Sequence, residues 1–200
     1  MCKYKILHYI IFTPMLVYIH IFNIKQEVTR MKFHQIFRAS LNEPKKLAAF
    51  RLLPIGKVFT YVFIFVALLT IISFIRFYID DTVLFENSPD LIEHGETIGL
   101  LIYPMAFILQ LVISTFYIFI RISIFAYIGS LLLSLMKRRG NYLDIWRTSA
   151  IAMTIPILLT IGFDFFPFLK SYGLAISSLV HLIYIATATK YYPKKPRPTQ

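Results

Sequence analysis

Charge is scarce in this sequence. Asp, Glu, Lys and Arg make up 16% of its 200 residues, against roughly 25% in an ordinary soluble domain. Acids are scarcer than bases, ten against 21, so the net charge is +11. There is one cysteine, Cys2, which excludes an intramolecular disulfide. Seven glycines leave little material for a phosphate-cradling loop. The five histidines, His8, His20, His34, His94 and His181, have no metal-ligand spacing to one another, to cysteine or to carboxylates. No H-E-x-x-H pair and no nucleophile elbow occurs. The reading is therefore non-enzymatic: no catalytic residues, no metal and no cofactor.

Apolar residues are abundant. They are 58% of the chain, and mean hydropathy is +0.67. Several runs reach about 18 residues or more, the length that crosses a hydrocarbon core of about 30 Å. The expected fold class is all-α: an integral membrane helical bundle with an amino-terminal amphipathic segment. A soluble hairpin with a basic loop does not fit runs this long and uniform. In a soluble protein a charge of +11 would suggest nucleic acid. Here the cations sit mostly between apolar runs, which points to positive-inside topology and anionic lipid head groups, and not to nucleic acid.

The stretch from Arg121 to Pro156 orients the rest. Lys137, Arg138 and Arg139 stop a long apolar run, and Gly140 and Asn141 supply turn chemistry. Tyr142, Trp146 and Arg147 then lead into the next run. Cations beside aromatics at the end of an apolar helix are what a membrane interface selects, so Lys137, Arg138, Arg139, Trp146 and Arg147 are expected to be interface anchors.

Residues 1–30 contain an apolar stretch, Tyr9 to Ile24, interrupted by Pro14 and His20. As a span it would place the following basic segment outside, against the positive-inside rule. The expectation is a peripheral segment, or translation starting at Met31, with an extra span as the alternative. Residues 31–58 carry Phe33, Ile36, Phe37 and Leu41 near helical spacing, with Lys32 and Arg38 between them. This basic amphipathic segment should lie on the cytoplasmic surface or cap the helix ends there. Pro44 begins a second short helix, which Pro54, Ile55 and Gly56 break.

Four spans are expected, at about 59–79, 98–136, 148–163 and 172–188, with five as the alternative. In the first, Arg76 can pair with Asp80 one turn on, or snorkel. Residues 80–97 hold six of the ten acids and read as a solvated outer loop. They lack a calcium-loop spacing. The 39 residues 98–136 would make a helix of about 58 Å. Arg121 has no turn signal beside it, so one long span kinked at Pro104 is preferred over two. Pro156 should kink the third span, and a short outer turn follows at 164–170. The tail from Lys190 reads as basic, Pro-rich and disordered. Both termini are then cytoplasmic, and Lys170 is the one cation on the wrong side.

Arg121 lies fifteen residues above Met136, and Asp164 seventeen above Arg147. Both are thus about 22–26 Å from the inner side. Charges inside a membrane need partners, so Arg121 and Asp164 are expected to face each other across the second and third spans. His181 is expected to be a packing residue. Gly129, Ser130, Ser134, Ser177 and Ser178 are small enough to let helices approach.

From Met31 on, the sequence resembles a known family. The carriers are Phe37, Ser40, Pro44 and Lys45, then FRLLPIGK leading into a span, then the basic hinge with Tyr142, Trp146 and Arg147, then Ala150, Ala152 and Pro156. They resemble the bacterial membrane family of domain of unknown function 1189, over about residues 31–190. That family is similar to the wider Yip-type membrane proteins, and some of its members are labelled maltodextrin utilisation proteins. The resemblance implies the bacterial cell membrane and no known chemistry. The functional expectation is an accessory or membrane-organising protein, working with a membrane-protein partner or as a homo-oligomer. The alternative is a small transporter or channel component using Arg121 and Asp164.

Overall fold

The computed structural model describes residues 26–86 and 89–195. The expectations for residues 1–25 fall outside these. Residues 26–30 are helical, with Val28 buried.

The named elements are α1 (Phe33–Asn42), α2 (Pro44–Ala49), a 3₁₀ turn (Phe50–Leu52), α3 (Ile55–Glu86), α4 (Pro89–Leu135), α5 (Tyr142–Ala152), α6 (Thr154–Asp164) and α7 (Pro167–Thr189). Four segments are long and apolar enough to cross a membrane: Ile55–Ile79, Leu101–Leu135, Tyr142–Asp164 and Ser171–Thr189. The all-α bundle and its four spans follow from the hydropathy runs. The stretch around Arg121 is one uninterrupted helix.

The acidic segment differs from expectation. Its backbone is helical at 80–86 and again at 89–97, finishing α3 and beginning α4. The only proline in this segment is Pro89, and it sits at the first position of α4, where its missing N–H costs nothing.

α3 lies along α4, α4 along α5 and α7, and α6 along α7. The contact surface of α4 with α5 and α7 depends on Gly129. A Cβ there would lie 2.7 Å from Ile145 Cγ1 and 2.9 Å from Ile185 Cγ2. Only a glycine lets these helices come so close.

The third span breaks at Met153, one turn before Pro156. The proline ring has no N–H and clashes with the carbonyl four residues back, at Ala152, so the axis yields there. Thr154 Oγ1 donates to Ile151 O at 2.6 Å across the break.

α1 packs against α2, α5 and α6, and single side chains tie it to α3 and α7. Ile36, Ala39 and Ser40 are buried, while His34, Gln35 and Arg38 are exposed. The Phe33 ring meets Tyr61 of α3 at 5.2 Å, and Tyr184 of α7 donates to Leu41 O at 2.9 Å. This is the cap packed on the bundle rather than a helix lying free of it.

α4 ends in a Schellman motif. Arg138 N donates to Leu133 O at 2.8 Å and Lys137 N to Ser134 O at 3.1 Å, with Lys137 left-handed at φ 51. The residue that turns the chain is thus Lys137, not Gly140. Gly140 is needed for space instead, since a Cβ would sit 2.9 Å from Leu133 and 3.0 Å from Tyr192. Asn141 and Asp144 form a capping box that starts α5.

The tail also departs from expectation. Residues 190–195 are docked rather than disordered; residues 196–200 lie outside the described residues. Arg139 N donates to Pro193 O at 2.7 Å and Lys195 N to Lys137 O at 3.0 Å. Tyr192 is fully buried. A buried aromatic anchor with backbone pairing on both sides outweighs a composition that reads as disorder.

Candidate functional site

Polar side chains inside the spans gather into a seam between α4, α5, α6 and α7. Arg121 is its charged member. It is 6% exposed and faces inward with Ile118, Ile122 and Ala126, the buried stripe of α4. Its Nη1 donates to Tyr117 Oη at 2.7 Å, and Nη2 to Ser177 Oγ at 2.6 Å. Its guanidinium carbon lies 5.9 Å from the ring centres of both Tyr117 and Phe125, within cation–π range. Nε is buried without a hydrogen-bond partner.

Ser177 passes the polarity on. Its hydroxyl donates to Pro156 O at 2.6 Å. Thr160 Oγ1 lies 2.9 Å from both Pro156 O and Ser177 Oγ. The charge on α4 is thus tied through an α7 serine to a carbonyl just past the break between α5 and α6.

One turn along α7, His181 is fully buried. Its Nε2 lies 3.2 Å from Ser149 O and 3.4 Å from Ser149 Oγ. Ser149 Oγ in turn donates to Ile122 O at 3.1 Å. The ring stacks on Phe125 at 4.2 Å, and Nδ1 has no hydrogen-bond partner. Donation from Nε2 to the Ser149 carbonyl leaves Nδ1 as the bare acceptor of a neutral ring. Tyr61 of α3 joins the interior through Thr154, Oη to Oγ1 at 2.6 Å.

The expected pair does not form. Asp164 Oδ2 meets Arg76 Nη1 of α3 at 2.9 Å, while Arg121 turns to hydroxyls. Matched depth fixes one coordinate only. Asp164 ends α6 on the side that faces the outer part of α3, and Arg121 looks toward α7. Arg76 thus takes a carboxylate from another span, while the side chain of Asp80, its expected partner on the same helix, lies outside the described residues.

The hinge residues separate as well. Trp146 is 8% exposed, packed against Phe59 at 5.6 Å and Phe119 at 6.2 Å. It is an interior residue, not a side chain laid in a head-group layer. Arg147 Nη1 donates to Arg51 O at 2.8 Å, bonding α5 to the 3₁₀ turn. Arg138 Nη1 donates to Tyr192 O at 2.7 Å. Lys137 and Arg139 are exposed. Beneath them Tyr192 shares a 2.6 Å hydrogen bond with Thr148, donates to Asp144 O at 3.2 Å and lies 5.0 Å from the Arg51 guanidinium. Burial pushes its phenol up to about 12. Nothing in the sequence marks Tyr192 as a core residue, since its partners lie 44 and more positions away.

A family model for proteins of unknown function, DUF1189, matches residues 80–189. The chain belongs to the DUF1189 family. The DUF1189 match covers α4 to α7, and with them Arg121, Ser149, Asp164, Ser177 and His181. It leaves out α1, α2 and most of α3, including the amino-terminal residues Phe37, Ser40, Pro44 and Lys45. No curated protein and no solved structure matches the chain.

Proposed function

We propose that the chain is a non-enzymatic accessory or membrane-organising protein of the bacterial cell membrane, with both termini cytoplasmic. The observation that carries this reading is how Arg121 is engaged. Its two terminal nitrogens bond hydroxyls of its own bundle, and Asp164 is engaged by Arg76. Polar groups used in this way hold helices together. At the opposite end from Asp164, the basic hinge, the cap α1 and the docked tail form a cationic face suited to anionic lipid or to a membrane-protein partner. A link to envelope or maltodextrin uptake belongs to this reading only through the label that some members of the family carry.

The test is purification from native membranes with crosslinking and mass spectrometry. A reproducible partner, such as a permease, is expected and would name the pathway. A clean homo-oligomer without partner would overturn the role as accessory to another membrane protein and move weight to a channel or transporter.

One observation favours a transport component instead. Arg121 carries a full charge inside the spans, bonds no carboxylate among the described residues, and has an unpartnered Nε. This second reading rests on Arg121, with Asp164 held apart from it. Anion flux into liposomes that disappears in Arg121→Met would establish it.

A further inference from the structure

Between the helical residues 26–30, α1 and the base of α3 lies a groove of about 370 Å³. Arg30, Lys32 and Lys57 line it, with Thr60 beside them. Among the described residues no carboxylate lines it; Glu27 and Glu43 line an adjoining groove with Arg38 and Lys46, and Arg30 and Met31 form the wall between the two. Phe33 and Ile64 line the same space and are 42% and 43% exposed. The groove is therefore two-sided, with cations and a hydroxyl in one part and exposed apolar surface in the other.

Its wall is held in place. Lys57 Nζ donates to Thr29 O and to Met31 O, fastening the chain before α1 to the first turn of α3. An ammonium has three donors, so one remains. Arg30 and Lys32 are exposed.

We propose that this groove binds the head group of an anionic glycerophospholipid. The phosphate would meet Arg30, Lys32 and the remaining Lys57 proton, and an acyl chain would run along Phe33 and Ile64. Charge complementarity selects the anion, and the adjoining apolar wall selects a lipid over a soluble phosphate. The position fits, since the groove opens beside the first two turns of the first span, where a leaflet's head groups lie. The site deepens the membrane-organising reading and rests on it for its purpose alone, because lipid retention is measured without any partner protein.

The experiment uses the purified full chain in mixed micelles of phosphatidylglycerol and phosphatidylcholine, with retained lipid counted by native mass spectrometry. The wild type should retain phosphatidylglycerol preferentially. Each cation near a head group contributes a factor of about five, so Arg30→Gln with Lys32→Gln should weaken retention about thirtyfold. Both side chains are exposed, and circular dichroism should show an unchanged fold. Arg139→Gln with Lys190→Gln, two cations of the wider basic face outside the groove, should weaken retention far less, by no more than about fivefold. Equal loss in both double variants would overturn the site in favour of diffuse surface charge. Retention indifferent to Arg30 and Lys32, or equal for phosphatidylcholine, would also overturn it. Displacement of the lipid by glycerol phosphate at millimolar concentration would assign the groove to a soluble phosphate.

Discussion

At the scale of single residues, the interior of this bundle is a problem in satisfying one guanidinium. Arg121 is buried, and its two terminal nitrogens are served by a tyrosine of its own helix and a serine of α7. Ser177 matters more than its size suggests, because it accepts from the charge and donates to Pro156 O at once. Ser177→Ala leaves part of a buried cation unsatisfied, which costs about 1–3 kcal/mol. The melting point in detergent should fall by roughly 2–10 °C. Ser178→Ala, at the half-buried neighbouring position, should shift it by far less. Equal shifts would mean that the seam does not hold the helices together. The Arg76–Asp164 pair stands lower on this scale. Its side chains are 38% and 35% exposed, and pairs so accessible contribute about 0.2–1 kcal/mol.

At the scale of elements, contact between helices depends on which side chains are missing. Gly129 and Gly162 both sit in helices, and a Cβ would meet opposite surroundings at the two positions. At Gly129 it collides with Ile145 and Ile185; at Gly162 it meets nothing within 4 Å. Gly129→Ala should therefore destabilise by about 1–3 kcal/mol through overpacking. Gly162→Ala should stabilise by about 0.5–1 kcal/mol, because alanine loses less backbone entropy in a helix. Denaturant titration of both variants tests the sign, and a stabilising Gly129→Ala would refute the close approach of α4 to α5 and α7. The contrast also shows what the sequence can reveal. Hydropathy runs place the four spans because crossing a bilayer demands length and apolarity, which are local properties. Pro156 announces a kink for the same reason, although the axis gives way at Met153, before the ring. The partner of Arg121 was not legible, because counting residues along a helix gives depth but not the direction a side chain faces. Nor was the docking of Tyr192, because a basic, Pro-rich composition describes a segment's own tendency and is silent about a pocket built 44 residues earlier.

At the scale of the whole molecule, the two ends of the bundle differ in charge and in construction. One end gathers Lys32, Lys57, Arg51, Arg138, Arg139, Arg147, Lys190, Lys194 and Lys195. There α1, α2, the 3₁₀ turn, the α4–α5 hinge and residues 190–195 all pack together, linked by Arg147 to Arg51 O and Arg138 to Tyr192 O. The other end carries the turn at Phe165 and Phe166, both exposed. Cations are held back from crossing a membrane, so the proposed topology puts the crowded basic end in the cytoplasm, as an expectation to be tested. Impermeant maleimide on intact cells gives the decisive readout. In a background with Cys2→Ser, Phe166→Cys should be labelled from outside, and Arg139→Cys only after the membrane is opened. Arg139 suits this use because its side chain is exposed while its backbone alone holds Pro193, so the substitution leaves the tail docked. Labelling of Arg139→Cys on intact cells would invert the molecule. The cationic face would then lie outside, and the lipid groove at Arg30 and Lys32 would face the outer leaflet.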